Sequence, residues 1–153
     1  MYKQVMDPAD EASGEDLIIA VEHLVRHVRR SATAGGLSTT ASAVLGRLDR
    51  EGPQRLTELA RAEAASQPNM TQLVTRLERA GLVRRAADHS DGRGVLVVIT
   101  PTGLQVCRQR RAERARALQE LTAHLTEPEQ RAVGVALPAL ARVIELQDRQ
   151  TPS

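Results

Sequence analysis

Residues 66–103 read SQPNMTQLVTRLERAGLVRRAADHSDGRGVLVVITPTG, and this stretch decides the fold. Ser66 is a natural N-cap, and Pro68 falls in the first turn, where a missing N–H costs nothing. Met70, Leu73, Val74 and Leu77 follow at i, i+3, i+4 and i+7, which predicts a helix with one buried stripe, ended by Gly81. Its other face is polar from end to end: Gln67, Asn69, Thr71, Gln72, Thr75, Arg76 and Arg79. Leu82-Val83 and the run Val95 to Ile99 are the only β-rich segments, and the Gly-containing stretch 88–94 between them is turn material. A two-stranded hairpin therefore follows the helix at once. Thr100-Pro101 then reads as a cap and an N1 proline opening another helix.

Outward from this stretch the chain is helical. Residues 1–13 read as a disordered lead. Ser13 and Asp16 have capping-box spacing, and Leu17, Val21, Leu24 and Val28 recur at helical spacing, predicting a first helix from about Gly14 to Ala32. Ser38-Thr39-Thr40 caps a second helix carrying Val44, Leu45 and Leu48, stopped by Gly52-Pro53. A short third helix holds Leu56, Leu59 and Ala60. Beyond the hairpin, a long helix runs to about His124, and Thr126 with Glu129 caps a last one carrying Val133, Leu137, Leu140 and Ile144. Pro138 lies inside that helix, where its ring opposes the carbonyl of Gly134, so a kink or split is expected.

Four helices, a hairpin and two more helices make a mainly α chain: a winged helix-turn-helix with a two-stranded β-wing. The N- and C-terminal helices form a helical dimerisation region. The expected division is 14–36 and 101–148 for dimerisation and 37–100 for the winged helix-turn-helix. Glu58-Leu59-Ala60, Arg76-Leu77 to Gly81-Leu82-Val83, Asp91-Gly92-Arg93 and Ile99-Thr100-Pro101-Thr102-Gly103 match, in order and spacing, strings typical of the MarR family of bacterial transcriptional regulators. The chain resembles that family from residue 15 to 147. Ala64 stands at the helix-turn-helix corner where the family often has Gly, Arg55 stands where a Ser/Thr cap usually falls, and Ile99 replaces the common Leu. The resemblance implies a homodimeric DNA-binding regulator, a repressor, that small anionic and often phenolic ligands release from its operator.

Composition narrows the alternatives. Among 153 residues 41% are apolar, but Tyr2 is the only aromatic, so the core is built from Leu, Val, Ile and Ala, which favours helices. The formal charge is only +2, yet ten arginines and four acids lie between Arg76 and Arg116, while the first 22 residues are acidic. That pattern suits a polyanion if the arginines share a face, and for any single arginine a solvated helix surface explains it equally well. Cys107 is the one cysteine and forms no intrachain disulfide, which points to a reducing compartment. With no apolar run near the ~20 residues of a membrane span, the expectation is a cytoplasmic protein without a membrane partner.

The candidate site follows from the helix at 67–79. Amides pair with adenine, arginine pairs with guanine, and threonine offers a hydroxyl and a methyl, so Ser66, Gln67, Asn69, Thr71, Gln72, Thr75 and Arg76 are the expected readers of double-stranded DNA. On the wing, Arg84 and Arg85 are phosphate candidates, and Arg93 at the Gly-flanked tip, braced by Asp91, suits a minor groove. Leu17, Val21, Leu24, Leu137, Leu140 and Ile144 form stripes too long for one small domain to cover, so self-association is expected. His23 and His27 share a helix face at a spacing that metal ligands use, which leaves a metal-responsive regulator as an alternative. A winged-helix protein-interaction module without DNA binding is the other. Cys107 reads as packing, with oxidation sensing a minor alternative. No nucleophile motif, phosphate-cradling Gly loop or carboxylate pair points to an enzyme, and no cofactor is expected.

Overall fold

Capping chemistry sets most of the element boundaries in the computed structural model, which describes residues 12–90 and 94–150. Helix α1 spans Gly14–Arg30; the Ser13 hydroxyl accepts from the Asp16 N–H at 3.2 Å, and the Asp16 carboxylate accepts from the Ser13 N–H at 3.1 Å. Helix α2 (Thr39–Glu51) starts at Ser38, whose Oγ accepts from the Ala41 N–H, and ends at Gly52. Strand β1 (Gln54–Arg55) leads into α3 (Leu56–Ala62), and α4 runs Gln67–Arg79 behind its Ser66 cap. Strands β2 (Val83–Asp88) and β3 (Gly94–Ile99), helix α5 (Pro101–Thr122) and helix α6 (Glu127–Gln150) complete the order. The lead at 1–11 and the wing tip at Asp91 and Arg93 lie outside the described residues.

The hairpin is part of a three-stranded antiparallel sheet, ordered β1-β3-β2, rather than a sheet of two strands. Gln54 pairs with Val97 and Arg55 with Leu96 on one side of β3, while β2 runs from Val83↔Ile99 to Asp88↔Gly94 on the other. Two residues are too few to show alternation, so β1 leaves no periodic signal in the sequence. Helix α6 runs as one helix through Pro138, so the split allowed for there does not occur. Pro138 has no N–H to donate to the Gly134 carbonyl, so one bond of the helix ladder is missing there.

The core is aliphatic. Val44, Leu45 and Leu48 of α2 meet Leu59 of α3, Met70, Leu73, Val74 and Leu77 of α4, and Leu82, Val83 and Val97 of the sheet. Each fully buried side chain of this size contributes about 1.5–3 kcal/mol. Two motifs meet at its edge. The Thr100 hydroxyl donates to the Gly81 carbonyl at 2.6 Å and accepts from the Gly103 N–H at 3.1 Å, while the Thr100 N–H donates to the Leu82 carbonyl at 3.0 Å. Gly103 packs so closely that a Cβ there would fall 2.2 Å from the Leu82 oxygen. Between α3 and α4, Ala64 adopts φ +49°, a left-handed conformation that costs about 1–2 kcal/mol for a residue with a Cβ.

The chain divides into two compact units, Met1–Arg114 and Ala115–Ser153. The core and the sheet belong to the first.

Candidate nucleic-acid interface

Burial of Met70, Leu73, Val74 and Leu77 turns the polar side of α4 to solvent. Gln67, Asn69, Thr71, Gln72, Arg76 and Arg79 are exposed and Thr75 is half-buried. Gln72 and Arg76 make no side-chain bond to other described residues, so their donors are available. The two threonines are committed locally: Thr71 Oγ1 donates to the Gln67 carbonyl at 2.9 Å and Thr75 Oγ1 to the Thr71 carbonyl at 2.8 Å. The Ser66 hydroxyl is likewise engaged, accepting from the Asn69 N–H at 3.3 Å.

The wing strand is tied to this helix. Arg85 pairs with Glu78 and also donates to Thr75 Oγ1 at 3.2 Å. Glu78 is the only acid in α4, so this pair leaves the outward face without an unbalanced negative charge. Arg85 thus works as a bridge from β2 to α4, whereas Arg84, its neighbour, is exposed and has no partner among the described residues. At the far end of β2, Asp88 is buried and receives Arg55 Nε at 2.7 Å, the Ser90 N–H at 3.0 Å and the Ser90 hydroxyl at 2.6 Å. These bonds from Ser90, then Arg55, hold its carboxyl down at about 2. The turn end of β2 is thereby fixed to the start of α3.

Sequence reading gave Ser38 to Thr40 only a capping role. In the structure Ser38 and Thr40 share a shallow recess of about 210 Å³ with Asn69 and Arg76, which brings the start of α2 beside the α4 face. Only the three-dimensional contact of α2 with α4 reveals this.

Elsewhere in the first unit, a cleft of about 510 Å³ is lined by Arg29, Cys107, Arg110, Arg111 and Arg114, with Asp49 opposing them. Arg110 is buried and donates to the Ala34 carbonyl at 2.9 Å. Burial, then the neighbouring Arg110 and Arg111, lower the pKa of Arg114, and burial raises that of Cys107. The predicted self-association residues Leu17, Val21, Leu137, Leu140 and Ile144 are all exposed, Leu24 is half-buried, and neither α1 nor α6 has a buried residue. His23 and His27 are exposed; among the described residues no three His, Cys, Asp or Glu side chains gather as a metal would require. Among the same residues no helix is long and apolar enough to cross a membrane.

A sequence model of the MarR family matches residues 37–95, the span from α2 into β3. An HTH-type transcriptional regulator of Mycobacterium bovis is 31% identical over 121 residues, covering 79% of this chain and 85% of that protein. A transcriptional regulator of Thermotoga maritima has a similar fold, with a TM-score of 0.74 at 24% identity over 89% of this chain and 95% of its own. A mutant of MepR from S. aureus, solved bound to an oligodeoxyribonucleotide, matches with a TM-score of 0.63 at 19% identity, covering 88% and 99%.

Proposed function

The chain belongs to the MarR family of transcriptional regulators, and from that premise we propose that it acts as a homodimer that reads a near-palindromic operator with α4. It is a transcriptional regulator with a DNA-binding fold, not an enzyme. The observation that carries the reading is the outward face of α4, where amide and guanidinium donors stand free and the one carboxylate is neutralised by Arg85. Major-groove edges offer chiefly acceptors to such donors. The solved complex of MepR with an oligodeoxyribonucleotide supports the same use of the fold. In this reading Ser66, Gln67, Asn69, Thr71, Gln72, Thr75 and Arg76 face the bases, and Arg84 holds phosphate. Arg85 contributes through the bridge to Glu78, and Asp91 with Arg93 takes the minor groove.

The exposed aliphatic stripes of α1 and α6 support the dimer: Leu17, Val21, Leu140 and Ile144 each leave about half or more of their surface uncovered, which a second copy would bury. The dimer sets two α4 helices about one DNA turn, ~34–36 Å, apart. Occupying an operator, it represses. The arginine-rich cleft beside Arg110 and Arg114 supports release by a small anion. Residues 37–100 form the reading region, and 14–36 with 101–148 the dimerisation region. Recovery of bound fragments from a random DNA pool tests this directly: a two-fold-symmetric enriched motif is the expected result, and a pool with no enriched sequence would overturn it.

A further inference from the structure

We propose that Thr71 and Thr75 read thymine through their methyl groups and donate no hydrogen bond to DNA. The proposal rests on the reading of α4 as the base-contacting helix and adds which chemical feature these two residues select. A threonine hydroxyl has one proton. In Thr71 it goes to the Gln67 carbonyl at 2.9 Å and in Thr75 to the Thr71 carbonyl at 2.8 Å. Phosphate oxygens, guanine N7 and O6, adenine N7 and thymine O4 are all acceptors, so neither side chain can bind them without surrendering its bond within the helix. Thr75 is further occupied, because its oxygen accepts from Arg85 at 3.2 Å. With the hydroxyl branch folded against the preceding turn, the branch left to meet a groove is the methyl. The one apolar feature on the major-groove edge of a base pair is the thymine 5-methyl.

The rest of the face fits this division. Gln72 and Arg76 keep their donors free for acceptor-rich edges, while Thr71 and Thr75, one turn apart, form a small apolar strip beside them. Four residues of helix span about 6 Å, close to two base-pair rises of ~3.4 Å, so the thymines concerned lie within about two steps of each other.

The test uses the full-length protein and the operator recovered from a DNA pool. Each thymine of a half-site is replaced in turn by deoxyuridine, which removes only the 5-methyl, and Kd is measured at fixed salt for the wild type, Thr71→Ser, Thr75→Ser, Thr71→Val and Thr75→Val. Serine keeps the hydroxyl and loses the methyl; valine does the reverse. The three residues have similar helix propensities, and circular dichroism confirms folding. Wild type should lose about three- to fivefold at one or two thymines. The serine variants should show that loss already on thymine DNA and no further loss on deoxyuridine, and the valine variants should match wild type on both. Valine variants that lose affinity while serine variants keep it would overturn the proposal, since the hydroxyl would then be the reader. Wild type indifferent to every deoxyuridine would overturn it while leaving sequence-specific binding intact. Absence of any specific operator would instead remove the underlying reading of α4.

Discussion

Replacing Gly103 by Ala should destabilise the protein, against the usual rule that Gly→Ala inside a helix stabilises by about 0.5–1 kcal/mol. A Cβ at this position would lie 2.2 Å from the Leu82 carbonyl oxygen, 2.8 Å from Ile99 Cγ1 and 3.1 Å from the Leu82 carbonyl carbon. Ordinary contacts between such atoms need about 3.5 Å, so the first turn of α5 must move by about 1 Å from the turn after α4. That movement stretches the bond from the Thr100 N–H to the Leu82 oxygen, now 3.0 Å, and from the Thr100 hydroxyl to the Gly81 oxygen, now 2.6 Å. Overpacking costs about 1–3 kcal/mol and each hydrogen bond about 0.5–1.5 kcal/mol. After the helix-propensity gain, a net loss of about 1–5 kcal/mol remains. Gly46→Ala is the internal control, because its Cβ would meet only the flexible end of Arg50, at 3.1 Å, and the propensity gain should prevail. Urea unfolding at one protein concentration measures both as shifts in midpoint. A Gly103→Ala midpoint equal to or above wild type would refute the reasoning.

Ala64→Gly should stabilise by about 0.5–1 kcal/mol, since relief of the left-handed conformation at φ +49° outweighs the added chain entropy; the same urea titration reads it. Asp88 should make stability pH-dependent at the acid end. Its carboxyl sits at about 2 in the folded chain against an ordinary 3.8, so its contribution is complete above 3.8 and lost as pH falls toward 2. The stability difference between wild type and Asp88→Asn should therefore shrink over that range, and a difference that stays constant would show that the carboxylate charge is not what holds the turn end of β2. Sedimentation at micromolar concentration should give a dimer, and Leu140→Glu on the exposed stripe of α6 should shift it to monomer. A wild-type monomer would contradict the reading of the α1 and α6 stripes.

What the sequence made legible was local chemistry. Ser13 with Asp16, Ser38, Ser66 and Thr126 with Glu129 mark four helix starts, and the Met70, Leu73, Val74, Leu77 spacing marks the buried side of α4. Ala64 at the corner does take the positive φ that the resemblance to Gly-containing relatives implied. What escaped was contact across the chain. Strand β1 is defined by its pairing with β3 and not by any pattern in Gln54-Arg55. Arg85 looked like its neighbour Arg84 until the fold brought it to Glu78, and Arg55 looked like a defective cap until it met Asp88, 33 residues later. A basic residue left free and one that braces a strand have the same letter.

Binding of the wild type, Arg76→Ala and Arg84→Ala to every single-base variant of the operator, at two salt concentrations, tests most directly whether α4 reads bases. Arg76→Ala should relax preference at particular positions at a cost of about 1–3 kcal/mol on the preferred sequence. Arg84→Ala should weaken all variants together and reduce the salt slope by about one. A uniform loss for Arg76→Ala, with a changed base preference for Arg84→Ala, would contradict the assignment of base reading to α4.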